Sequence, residues 1–188
     1  VGESRISEAE QPIRRVYLEP AGSLATEEAL VAIRDADVIV LGPGSLYTSI
    51  IPNLLAEGLV DAVAQSKALK IYVCNVMTQS RETAGFKASD HVRALVAHAH
   101  PGILQVVIVN TKAIPEELLD KYRKEHATPV EPDLDRIREL GFQVVADDVI
   151  STKDYIRHDP EKLAKLISHL AIGVRRMASD VHPTTVVR

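Results

Sequence analysis

The stretch Leu41 to Asn53, reading LGPGSLYTSIIPN, sets Gly42, Pro43, Gly44 and the hydroxyls of Ser45, Tyr47, Thr48 and Ser49 directly after the apolar run Val38-Ile39-Val40. Gly42 and Gly44 permit close backbone approach and positive φ, Pro43 restricts the turn, and the short hydroxyl side chains fall near the start of the next helix. Such a loop suits a phosphate. The pattern is neither a Walker loop nor a dinucleotide fingerprint. A tight strand-to-helix turn with hydroxyl caps accounts for the same residues, so both readings stay open on this stretch alone.

A second polar concentration, CNVMTQSRET from Cys74 to Thr83, follows the next apolar run. Asn75, Thr78 and Gln79 are neutral donors and acceptors of the kind that read a base edge or sugar hydroxyls. A solvated loop with side-chain-to-backbone hydrogen bonds is the competing account. The third apolar run also ends in a polar residue, Asn110. Three consecutive strands that empty polar residues at one edge favour a site there.

The charged candidates are Asp90-His91 and the run Tyr155 to Asp159, YIRHD. Arg157 carries a planar fork of donors suited to a diphosphate, and His158 adds a hydrogen bond or a proton. Asp90 and Asp159 read as helix caps. His98 and His100 read as a helix end, and Cys74 as a small core residue without a local catalytic signature.

These residues need strands and helices to hold them. Asp37 to Leu41, Lys70 to Cys74 and Leu104 to Val109 are short, β-branched runs of near-continuous hydrophobicity, which suits strands covered on both faces. Gln143 to Ala146 is a fourth candidate and Arg15 to Leu18 a weaker, alternating one. Helical patterns lie between them: Thr26 to Arg34, Asn53 to Gln65, Asp90 to His98, Pro115 to Glu125, Asp133 to Leu140 and Pro160 to Leu170. The alternation predicts a three-layer, Rossmann-like α/β domain with a mainly parallel sheet. Residues 1–172 form one domain in this reading, and 173–188 a flexible tail.

Composition narrows the function. The 188 residues are 46% hydrophobic and 26% charged, as in a globular domain with a core. A net charge of -4 and 4% aromatics give no basic footprint and few stacking platforms, which argues against nucleic-acid binding. One cysteine allows no disulfide framework and fits a reducing compartment, so a cytoplasmic location is expected. No apolar run is long enough to span a bilayer, and the start of the chain lacks a signal-peptide layout, so no membrane insertion is expected. The chain opens on Val1, which reads as a segment of a larger gene product.

The stretches LGPGSLYTSIIPNLL, YVCNVMTQSRET, SDHV, PVEPD and YIRHD, with GES at Gly2 to Ser4, occur in an order that resembles the gluconeogenesis factor family, YvcK. That family is grouped with the 2-phospho-lactate transferases, CofD. The resemblance implies a Rossmann-like protein that binds UDP-sugars such as UDP-N-acetylglucosamine and supports cell-wall synthesis, cell shape and growth on gluconeogenic carbon sources. It covers only the C-terminal part of the family's domain, without the glycine-rich nucleotide loop of the N-terminal segment. It implies a ligand set of Gly42, Gly44 and Ser45 at the phosphates, Tyr47 and Thr48 nearby, Asn75 and Thr78 from the next strand end, and Tyr122, Arg157 and His158 from later in the chain.

Three functions follow as expectations. The first is a regulatory protein that binds a UDP-sugar, catalyses nothing, and reports to cell-wall synthesis or signalling proteins. The second is a transferase of a phosphate-containing group, with Mg as cofactor and Asp90, His91 or Asp159 as ligand or base. The third is a scaffold domain without its own ligand. No metal is called for by the first or third, and a homo-oligomer is compatible with the apolar helix faces.

Overall fold

A computed structural model describes residues 13–153 and 155–179. The elements in chain order are α1 (Glu27–Asp35), β1 (Val38–Leu41), a π-helical turn (Leu46–Ile50), α2 (Ile51–Leu54), α3 (Leu59–Gln65), β2 (Leu69–Val73), α4 (Ala88–His98), a 3-10 turn (Pro101–Ile103), β3 (Val106–Asn110), α5 (Glu116–Lys124), α6 (Leu134–Glu139), β4 (Gln143–Asp147), β5 (Ile150–Ser151), β6 (Arg157–His158) and α7 (Pro160–Ser179). The first four strands form one sheet in the order β1-β2-β3-β4, and every neighbouring pair is parallel. Strands β5 and β6 make a separate antiparallel pair. The Rossmann-like α/β expectation holds.

Alternation along the strands sorts the core into two layers. Leu41, Tyr72, Cys74, Val107 and Val109 face the layer that contains Leu54, Val63, Val92, Leu95 and Ile137, from α2, α3, α4 and α6. Leu69, Ile71, Val73, Val106 and Ile108 face the opposite way, where Leu163, Leu166, Ile167 and Leu170 of α7 cover them. Strand β2 is buried at all five positions, as its predominantly apolar character predicts. Its one cation, Lys70, escapes an unpaired burial by donating to the Ser66 carbonyl at 2.7 Å.

Four expectations change. The weak strand at Arg15 to Leu18 is absent: residues 13–18 are irregular, held where the Val16 N–H donates to His98 Nε2 at 3.2 Å. The helix expected from Asn53 to Gln65 is two helices, because Gly58 stands at φ +88° and no helix continues through that conformation. The N-terminal residue of α4 is Ala88, so Asp90 is not the N-cap; it lies one turn in and accepts the Lys87 N–H at 2.9 Å. The last helix runs to Ser179, so 173–179, assigned to the tail, belong to α7. Residues 180–188 lie outside the described residues, as does the Gly2 to Ser4 match.

Candidate functional site

The carboxyl ends of β1, β2 and β3 point the same way because the strands are parallel, so the loops that follow them share one edge. After β1 the chain turns through Gly42 at φ +87°. A Cβ there would stand 3.1 Å from the Val73 carbonyl oxygen and 3.2 Å from Ile50 Cδ1, so this position requires glycine on both counts. Gly44 differs from its expectation. Its φ is not positive, and its constraint is the 3.3 Å separation its Cβ would have from Ser49 Cβ. The element that follows is also not an ordinary helix start: the Ser49 and Ile50 N–H groups both donate to the Ser45 carbonyl, in a five-residue π turn followed by four residues of α-helix.

The loop after β2 is stitched to this turn. Gln79 Nε2 donates to Ser45 Oγ at 2.7 Å, and Thr48 Oγ1 donates to Glu82 Oε1 at 3.3 Å. Gln79 Oε1 and Asn75 Oδ1 are buried acceptors without a hydrogen-bond partner among the described residues. Buried oxygens normally find donors, so these two mark the strand-end edge as a place where a donor is missing. Thr83, fully buried, fixes the loop by accepting the Gln79 N–H at 2.9 Å.

The YIRHD segment arrives at the same edge. His158 Nε2 donates to the Cys74 carbonyl at 3.1 Å, which seats β6 over the end of β2, next to Asn75. Burial pushes the His158 imidazole below its usual range, partly offset by that hydrogen bond, so it sits there neutral. Arg157, the preceding residue, is exposed. Asp159 caps α7 by accepting the Glu161 and Lys162 N–H groups at 3.0 and 3.1 Å, in agreement with its reading as a cap.

The remaining candidates are placed otherwise. Tyr47 is core, packed edge-on against Phe86 and His98; burial, with Glu82 nearby, raises its phenol above the usual value. Thr78 is buried and committed to Thr128, accepting its N–H at 2.9 Å and sharing a hydroxyl contact at 3.2 Å. Tyr122 uses its hydroxyl on the backbone of Ile156. His91 is fully buried in α4, donating from Nδ1 to the Lys87 carbonyl at 2.9 Å, and burial holds it neutral. Asp90 pairs with Arg93, and although burial opposes the charged form, that pair and the Lys87 N–H keep its carboxyl below the usual range. Burial drives the Cys74 thiol up to about 12, which makes it the inert core residue expected. Among the described residues, no group of three or more His, Cys, Asp or Glu side chains is arranged to hold a metal ion.

Sequence reasoning undervalued Gln79 and Glu82, the two residues that tie one strand-end loop to the other. The PVEPD run, Pro129 to Asp133, was legible only as a motif. Here Met77 bridges Pro129, the Val130 N–H donates to the Val76 carbonyl at 2.9 Å, and Ser89 donates to both carboxylate oxygens of Asp133 at 2.8 and 2.6 Å.

A parallel sheet covered by helices on both faces, with its polar loops gathered at the strand carboxyl ends, defines a Rossmann-like α/β protein. The family model described as 2-phospho-L-lactate transferase CofD matches residues 1–150. Among similar proteins, the putative gluconeogenesis factor of Thermoanaerobacterium thermosulfurigenes is 48% identical over 160 residues, covering 85% of this chain and 49% of the relative. The gluconeogenesis factor of Bacillus subtilis is 44% identical over 170 residues, covering 90% and 54%. A crystal structure of a upf0052 family member from Bacillus halodurans superimposes with a TM-score of 0.86 at 44% identity, over 88% of this chain and 54% of that one. The chain belongs to the CofD-like family and, within it, groups with the gluconeogenesis factors (YvcK). It spans about half the length of the relatives it matches. No helix among the described residues is long and apolar enough to cross a membrane.

Proposed function

We propose that this chain contributes the binding edge for a UDP-sugar, of the UDP-N-acetylglucosamine type, in a regulatory protein that supports cell-wall synthesis, cell shape and growth on gluconeogenic carbon sources. The observation that supports the reading is the gathering of the Gly42 to Ser45 turn, the Gln79 loop, Asn75 and His158 at the ends of two adjacent strands, with exposed Arg157 next to His158 in the chain. The turn brings backbone close to an anion, Arg157 supplies the cation, and the unpaired oxygens of Asn75 and Gln79 accept from hydroxyl donors.

The same geometry supports binding over group transfer. The acids and bases named for a transferase take part in holding the fold: Asp90 on Lys87 and Arg93, His91 through Nδ1 on the Lys87 carbonyl with Nε2 buried and unpartnered among the described residues, Asp159 on the start of α7. Mg²⁺ therefore enters this reading only as a counterion of the diphosphate.

Isothermal titration of the chain with UDP-N-acetylglucosamine, with and without Mg²⁺, tests the proposal. Saturable heat without turnover of the sugar nucleotide supports it. Absence of binding under both conditions removes it.

A further inference from the structure

One cavity at the strand-end edge takes no part in the site as described so far. It encloses about 230 Å³ beyond the ends of β2 and β3. Its walls are apolar: Val76, Ile114, Leu119, Pro129, Val130 and Pro132. Its rim is the turn from Asn110 to Ala113.

Both sides of this slot are pinned. The Val130 N–H donates to the Val76 carbonyl at 2.9 Å, and the Thr78 N–H to the Thr128 carbonyl at 2.7 Å, which fixes the proline-bearing wall to the end of β2. On the rim, Asn110 Nδ2 donates to the Lys112 carbonyl at 3.0 Å while Asn110 Oδ1 accepts the Val149 N–H at 3.4 Å. The slot is therefore formed before any ligand arrives, as small-molecule pockets generally are.

Its position gives it an occupant. The phosphate-facing turn follows β1 and the slot lies beyond β2 and β3, with Asn75 just past the end of β2 and His158, on β6, seated on the Cys74 carbonyl beside it. Adjacent strands lie roughly 4.8 Å apart, so a slot beyond β2 and β3 is within reach of an extended nucleoside diphosphate whose phosphates sit at the β1 turn. The chemistry changes in the matching order, from close backbone at the turn, through the neutral acceptor of Asn75, to a slot with apolar walls.

We infer that this slot holds the planar heterocyclic base of the ligand, with the ribose over Asn75 and the phosphates at Gly42 to Ser45. The inference rests on the nucleotide-sugar reading above and adds to it the direction in which the ligand lies and the subsite that reads the base.

Filling the slot tests it. Leu119→Trp, at a wall position on α5, is expected to lower calorimetric affinity for UDP-N-acetylglucosamine and for UDP at least tenfold while far-UV circular dichroism is unchanged. Because the chain contains no tryptophan, Lys112→Trp places a single fluorophore on the rim, which serves even if the first variant fails to fold. Its emission is expected to change on UDP titration and to saturate at the calorimetric affinity. If the parent chain binds both ligands but folded Leu119→Trp binds them equally well, the slot assignment falls and the binding reading stands. Binding by Lys112→Trp with unchanged emission overturns the assignment in the same way. If the parent binds neither ligand, both fall together.

Discussion

The hydroxyl of Tyr122 holds both backbone groups of Ile156: it accepts the N–H at 2.8 Å and donates to the carbonyl at 3.2 Å. Tyr122 thereby fixes the chain one residue before Arg157, from a helix 34 positions away in sequence. Under the proposed UDP-sugar reading, its part in binding is then positional.

That gives the first prediction. Tyr122→Phe is expected to cost about 1–2 kcal/mol of stability, since it leaves the Ile156 groups unpaired, and to weaken UDP-sugar affinity. Arg157→Ala is expected to weaken affinity by about 2 kcal/mol or more, with little change in stability. In the double variant the affinity losses should be less than additive, because both act through the same guanidinium. Full additivity in a titration series would mean that Tyr122 meets the ligand itself.

The two glycines of the first turn should respond differently. Gly42→Ala combines a left-handed φ with a 3.1 Å approach to a backbone oxygen that has no freedom to withdraw. A loss on the order of 2 kcal/mol or more is expected. Gly44→Ala meets only Ser49 Cβ at 3.3 Å, on a short turn able to shift. Thermal midpoints should rank parent, Gly44→Ala, Gly42→Ala in descending order, and the reverse order of the two variants would contradict the geometry.

Arg81 occupies a left-handed conformation, φ +68°, in the turn after Gln79, where glycine is the natural residue. Arg81→Gly relieves about 1 kcal/mol of backbone strain but also removes the side chain's own interaction and adds unfolded-chain entropy, so the urea midpoint is expected to rise by less than the backbone relief alone would give. Arg81→Val should lower it, because a β-branched side chain tolerates this conformation least.

Two buried histidines set an acid sensitivity. Burial pushes His91 and His158 below the usual histidine value of 6.5, against the opposing hydrogen bonds to the Lys87 and Cys74 carbonyls and, at His91, the charges of Asp90 and Asp133. Below pH 6.5 the unfolded chain binds protons that the folded one does not, so stability declines as pH falls from that value toward the folded pKa values. Asp90 and Asp148 act in a separate window, since both are held below 3.8 and their contribution is lost only as pH falls through those lower values. The double variant His91→Gln, His158→Gln should lose less stability than the parent between pH 7.5 and 5.5. Equal losses in urea titrations would assign the sensitivity elsewhere.

The sheet was legible because β1, β2 and β3 are dominated by β-branched and aliphatic residues, β2 and β3 being buried along nearly their whole length, while edge strand β4 keeps only a short apolar centre, Val144 to Ala146. Helix ends were less so. Gly58 breaks a helix through its own φ, which an apolar period does not reveal, and α4 begins before Asp90 because Lys87 and Asp90 share the capping. At the site, residue type indicated the strand-end edge but not side-chain direction. Tyr47 and Thr78 carry the same groups as a ligand-binding residue, and only packing shows them turned into the core and onto Thr128. Gln79 acquires its importance from Ser45, 34 residues away, a relationship no local pattern contains.

Among the described residues, the second face of the sheet is covered by α7 together with Val149, and α7 is joined to β6 by a single residue, Asp159. The strand that carries Arg157 and the helix that shields Ile71, Val73 and Ile108 are thus one mechanical piece. If the proposed ligand immobilises the guanidinium, it also restrains the cover on the far side of the sheet. Occupancy at one edge should therefore be felt as slower amide exchange in β2 and β3, well away from any atom the ligand touches.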